Sequence, residues 1–136
     1  MIPTAGDTRF PWGNEQTPYL EMGGEVPVRA LVEQFYDIIE EDSPALREML
    51  PTNTRVTRDK FFEYLSGWLG GPPLYEEKRG HPRLRMRHMP FVIGDTEADE
   101  WMRCMTKAIS IQELPTPLKI FLEMRFHELA LHMRNQ

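Results

Sequence analysis

From Glu25 onward, apolar residues return at three- and four-residue steps: Val28, Leu31, Val32, Phe35, Tyr36 and Ile39 fall on one face of a helix entered through Gly23-Gly24. A second stripe of Phe61, Phe62, Leu65, Trp68 and Leu69 is rich in aromatics and stops at Gly70-Gly71 and Pro72-Pro73, with Thr57 placed to cap its start. Trp101, Met102, Met105, Ala108 and Ile109 make a third, following Thr96-Glu97-Ala98-Asp99, which has the shape of a capping box with Asp in the acidic position. Leu118, Phe121, Leu122, Leu129 and Met133 make a fourth, opened by Thr116-Pro117.

Prolines delimit two shorter helices. Ser43-Pro44 opens one that Pro51 closes, and Pro82 opens another that ends near His88, because Pro90 disfavours helical backbone at Met89. Nothing alternates like a strand, so the pattern predicts an all-α chain of four principal and two short helices, without repeats. Residues 1–18 read as an irregular arm in which Phe10 and Trp12 pack locally, and residues 19–136 read as one domain.

Composition narrows the partners. At 136 residues and 40% hydrophobic, the chain can bury a core without metal or disulfide staples. A net charge of -5 speaks against nucleic acid, whose binding draws on cations that displace phosphate counterions. No apolar run approaches the roughly 18 residues of a membrane span, and no charged-then-apolar leader opens the chain. The single cysteine, Cys104, excludes an internal disulfide and suits a reducing compartment, so a cytoplasmic protein, monomeric or homodimeric, is expected.

Among the four histidines, His127 and His132 lie about 140° apart around one helix, and His81 and His88 are roughly 10 Å apart along another, so neither pair chelates one ion. His88 stands apart: Met86, Met89 and Phe91 surround it with apolar side chains, and Arg83, Arg85 and Arg87 add cations, a setting for an anionic, mostly apolar ligand. Its neutral imidazole can bind iron through one nitrogen if the other donates to a carbonyl, which a helix end offers. The residues alone leave this open against a hydrogen-bonded core histidine, the commoner fate.

The run GHPRLRMRHMPF at Gly80 to Phe91, with Trp101 thirteen residues after His88, resembles the haem-binding segment of group II truncated haemoglobins. GGE followed by Phe35-Tyr36, GGPPLY at Gly70 to Tyr75, and the run from Trp101 to Met105 agree in order and spacing, and the likeness spans Tyr19 to Met133. That resemblance implies a globin-like, truncated two-over-two helical sandwich around haem b. It implies His88 as the proximal iron ligand, Tyr36 as the distal tyrosine and Trp101 as the distal-side tryptophan. Leu65 and Trp68 match apolar distal-helix positions that border the cofactor, and Phe61 matches the usual gate. Tyr75 and Arg87 are implied holders of the propionates, with Arg85 as a substitute, because a guanidinium offers carboxylates paired donors. Phe91 completes the cofactor's surroundings. Cys104 receives no role, since nothing nearby lowers a thiol's pKa.

By the same resemblance, the expected ligand is O2, with NO, CO or peroxide as further possibilities. A phenol and an indole N–H would stabilise the negative charge that bound oxygen draws, slowing its escape about tenfold per donor. Turnover, as NO dioxygenation or peroxide reduction, needs an external reductase, because the chain has no G-x-G-x-x-G nucleotide fingerprint. A gas sensor or ligand-dependent interaction module is the alternative from another class, and a haemless scaffold a third that the intact Tyr36, His88 and Trp101 set opposes.

One position departs from the family. Leu50, or Met49 after a one-residue slip, stands where many members carry tyrosine or histidine, so the expected distal network is simpler and dominated by Tyr36 and Trp101. Leu50→Tyr is therefore expected to change the oxygen dissociation rate; an unchanged rate would place Leu50 away from the ligand.

Overall fold

The computed structural model describes residues 10–136; the first nine residues of the expected arm lie outside the described part. In chain order the helices are α1 (Pro18–Met22), α2 (Glu25–Asp42), α3 (Pro44–Arg47), α4 (Arg55–Trp68), α5 (Leu74–Arg79), α6 (Leu84–His88), α7 (Asp95–Ile111) and α8 (Thr116–His132). The described residues hold no strand, only an isolated bridge between Phe10 and Gly13. The long helices α2, α4, α7 and α8 are those that the apolar stripes predict. Helix α2 packs on both α4 and α7, and α8 lies along α7, giving two pairs stacked one over the other.

Each stripe does what its spacing requires. Val28, Leu31, Val32 and Phe35 of α2 are buried, and they meet Leu65 of α4, Met105 and Ile109 of α7, and Leu118, Leu122 and Phe126 of α8 in one core. A fully buried side chain of this size contributes roughly 1.5–3 kcal/mol. Phe10 and Trp12 stack at 5.4 Å, and Trp12 also meets Phe121 of α8 edge-on at 4.9 Å, so the described end of the arm lies against the helical body.

Several local expectations are corrected. Helix α4 begins at Arg55, with Thr54 at the cap, so Thr57 lies inside the helix. The Ser43 hydroxyl does not cap α3; it donates to Glu100 Oε1 at 3.0 Å and ties the end of α2 to α7. The box at α7 is closed by Glu97, whose Oε1 accepts the Gly94 N–H at 2.8 Å, and not by Asp99. Two short helices were not foreseen, and both carry end signals. The Thr17 side chain caps α1 at the Leu20 N–H, and α5 has Glu76-Glu77 in its first turn and Lys78-Arg79 in its last, matching the helix dipole.

The glycines after α4 serve a close approach. A Cβ on Gly71 would sit 2.5 Å from the Tyr19 ring, and one on Gly70, at φ +93°, would sit 2.8 Å from Thr17. Bare backbone lets the end of α4 meet α1, where the Tyr19 N–H donates to Leu69 O at 2.9 Å.

Charge completes the join between α2 and α4. Arg58 is buried, and its guanidinium reaches Glu33 at 2.8 Å, Asp37 at 2.9 Å and Glu40 at 2.6 Å, while its Nε donates to Thr54 Oγ1 at 2.9 Å. Arg55 bonds Glu33 beside it. A hydrogen bond from Arg58 holds the Glu40 carboxyl below its ordinary range, and one from Arg79 does the same for the buried Glu63. Such depressed groups contribute stability that is complete above their unfolded pKa near 4.5 and is lost as pH falls through the folded value. Arg58→Ala strips three carboxylates of their shared cation and should cost about 3 kcal/mol at neutral pH by urea denaturation. The variant should also lose less stability than the parent on acidification below about pH 4.5.

Candidate functional site

Where the helix pairs face α6, they leave a cavity of about 440 Å³. From α2, Phe35, Tyr36 and Ile39 face it; from α4, Thr57, Lys60, Phe61 and Tyr64; from α7, Ala98 and Trp101. Leu129, Ala130 and Met133 close one side, and Met49 and Leu50 another. His88, Arg87, Phe91, Leu84 and Tyr75 complete the wall.

His88 is the last residue of α6, and the helix's own geometry sets its state. Its Nδ1 lies 2.6 Å from Leu84 O, one turn back. A carbonyl oxygen only accepts, so Nδ1 is the donor, and in the neutral ring Nε2 is left with a lone pair of the kind a metal takes. The turn that launches α6 is held locally: Arg83 is left-handed at φ 48°, and its N–H donates to His81 Nδ1 at 3.0 Å. Pro90 follows as expected, and the Phe91 N–H returns to His88 O at 3.0 Å.

Across the cavity the aromatic rings interlock. Phe35 meets Trp101 at 5.1 Å, Tyr36 meets Phe61 at 6.0 Å and Phe61 meets Trp101 at 6.3 Å, all but edge-on. Such contacts hold the rings in place. Among the described residues, neither the Tyr36 hydroxyl nor the Trp101 indole N–H hydrogen-bonds to protein, and neither atom is fully sealed away. Both are donors in reserve. Burial pushes the Tyr36 phenol well above its usual range, against the Arg58 cation that lies 5.6 Å from its ring, so the hydroxyl stays protonated.

Three of the residues expected around the cofactor do not line this cavity, and two of them line the adjoining one, which shares Tyr64, Tyr75, Leu84 and Leu129 with it. Leu65 is fully buried in the core, because α4 turns Thr57, Phe61 and Tyr64 to the cavity and Leu65 is about 100° from Tyr64 around the axis. Trp68 lines the adjoining cavity, packed on Phe126 at 4.9 Å under the Arg125 guanidinium at 5.3 Å. Arg85 borders the adjoining cavity as well, its guanidinium donating to Arg134 O at 3.0 Å and His132 O at 3.4 Å. Both Leu50 and its neighbour Met49 face the cavity.

Thr57, Lys60 and Tyr64 were missed. Thr57 and Tyr64 follow from Phe61 by helical spacing, whereas a lysine in such a stripe reads as solvated surface. Lys60 and Arg87 line the cavity, and among the described residues neither has a carboxylate partner; the Arg87 Nε donates to Pro82 O at 2.9 Å. A flat apolar group with an anionic edge and a metal that needs a neutral imidazole fits this chamber: aromatic and aliphatic walls, free cations and an Nε2 lone pair.

An imidazole-bearing chamber between two stacked helix pairs defines the class as a haem-binding globin of truncated, two-over-two form. Residues 17–135 match the model of the bacterial-like globin family. The chain is 40% identical over 119 residues to the group 2 truncated hemoglobin YjbI of Bacillus subtilis strain 168, spanning 88% of this chain and 89% of that protein. A cold-adapted truncated hemoglobin from Pseudoalteromonas haloplanktis TAC125 superposes with a TM-score of 0.86 at 45% identity, over 89% of this chain and 99% of that one. A group II 2-on-2 hemoglobin from Agrobacterium tumefaciens gives 0.85 at 37% identity, over 91% and 98%. This chain belongs to the bacterial-like globins and, within them, to the group II truncated haemoglobins. Its cofactor is haem b and its function rests on haem-based oxygen binding.

The state of Tyr36 can be checked by titration. Ultraviolet difference spectra of the parent and Tyr36→Phe should match through pH 10, since the raised phenol does not ionise there; a tyrosinate band missing from the variant near that pH would contradict it.

Proposed function

We propose that this chain binds and retains O2 at a haem iron ligated by His88 Nε2, with Tyr36 and Trp101 as the donors that hold the ligand. The observation that carries this reading is the 2.6 Å contact between His88 Nδ1 and Leu84 O, in a residue that shares one cavity with two unspent donors. Bound haem supplies a ferrous iron that takes up diatomic ligands. The chain supplies the rest. His88 anchors and orients, the aromatic lattice excludes water, and Tyr36 and Trp101 donate to the ligand in surroundings of low dielectric. Leu50 and Met49 offer no competing donor, so the Tyr36 hydroxyl is not drawn aside. Arg87, Lys60 and Tyr75 are the groups placed for the propionates, because Arg87 and Lys60 are the cations on the cavity wall.

Retention of this kind suits chemistry on the bound ligand, NO dioxygenation or peroxide reduction, with electrons from a separate reductase. NO and CO would occupy the same position. Helices too short or too polar to cross a membrane and a buried free thiol at Cys104 suit the cytoplasm.

The experiment is spectroscopic. With haem supplied, the ferrous protein should show a histidine-ligated spectrum that His88→Ala loses; an unchanged spectrum would overturn the ligand assignment. Tyr36→Phe and Trp101→Phe should each release oxygen about tenfold faster by stopped flow.

A further inference from the structure

Helix α6 carries His88 yet buries none of its five side chains. Without buried packing, its position depends on polar contacts, and these converge on the residues after α8. Asn135 engages its backbone N–H and both ends of its side-chain amide there. Its backbone N–H donates to Ile93 O at 2.8 Å, and its Oδ1 accepts the Ile93 N–H at 3.0 Å. Its Nδ2 donates to Phe91 O at 2.8 Å and to His88 O at 3.3 Å.

Neighbouring contacts act in the same direction. Arg85 of α6 donates to Arg134 O and His132 O, at the end of α8, where carbonyls lack helical partners and a cation is favoured by the dipole. Arg134 in turn pairs with Asp95 at the start of α7 at 2.5 Å. The segment after α8 thus straps α6 and its following turn to α7.

Resting on the reading of His88 as the iron ligand, we propose that Asn135 is the positioning residue for that ligand, its side-chain amide setting the seat of the imidazole through the His88 and Phe91 carbonyls. The requirement is for a donor: aspartate has nearly the same shape but turns an oxygen toward two carbonyl oxygens.

Asn135→Asp keeps an acceptor for the Ile93 N–H and reverses only the two donations. In the ferrous haem-loaded protein, the iron–histidine stretching band in resonance Raman spectra should move or split, and haem should pass to excess apomyoglobin about tenfold faster. Asn135→Ala, which removes all three side-chain bonds, should do the same and serves if the aspartate variant does not fold. In the haem-free protein, Asn135→Ala should also speed hydrogen exchange at the Ile93 amide. Lys107→Ala, which breaks the pair with Asp42 joining α2 to α7, is the control: it should lower Tm without moving the band. If the Asn135 variants behave like Lys107→Ala, with a lower Tm but parental band and haem-loss rate, the proposal is overturned. A band that survives His88→Ala would instead remove the ligand assignment beneath it.

Discussion

On the proposed ligation of iron by His88, the chemistry of this protein depends on one short contact inside a five-residue helix, between Nδ1 of His88 and the carbonyl of Leu84. An imidazole in solution exchanges its proton between two nitrogens and turns freely about its side-chain bonds. Here a helix end supplies an acceptor at fixed distance, so in the neutral ring the proton resides on Nδ1 and Nε2 keeps the lone pair. On that proposal the remaining structure places the lone pair, keeps the space beside it largely apolar and sets near it two donors, Tyr36 and Trp101, that no protein group among the described residues engages.

A chamber shaped for a cofactor is not filled by the protein's own side chains, so its walls are not held together by the contacts of a packed core. The helices around it are therefore joined by means that do not fill it. Arg58 joins α4 to α2 on the outer side of Tyr36, Glu63 joins α4 to Lys78 and Arg79 of α5, and Ser43 with Glu100 joins the end of α2 to α7. The Glu100 carboxyl in that join is lowered to about 2, first by a hydrogen bond from Arg103 on the same helix and then by the one from Ser43. The apolar core lies to one side, where α2, α7 and α8 meet, and leaves the cavity's walls to aromatic edges.

Charge is distributed in the same spirit. The chain carries a net -5, and most of its described arginines are engaged with carboxylates or carbonyls. Among the described residues Lys60 and Arg87 form no pair with a carboxylate and both line the chamber, which leaves two cations for an anionic edge without the cost of breaking an existing ion pair.

The amino-acid sequence by itself determined the four long helices, because a stripe of period 3.6 has one way to be buried, and it singled out His88, Tyr36 and Trp101 through spacing that resembles a known family. Prolines and glycines also marked where α6 and α4 end. Only the tertiary structure decided which face of α4 borders the chamber, putting Tyr64 and Lys60 on it and Leu65 and Trp68 off it, since one residue of rotation is about 100° and the stripe is wider than that. It also decided that Arg85 serves the end of α8 and that Asn135 holds the turn after His88. Hydrogen bonds between residues more than forty positions apart leave no periodic trace along a chain; they exist only once packing has brought the two segments within reach.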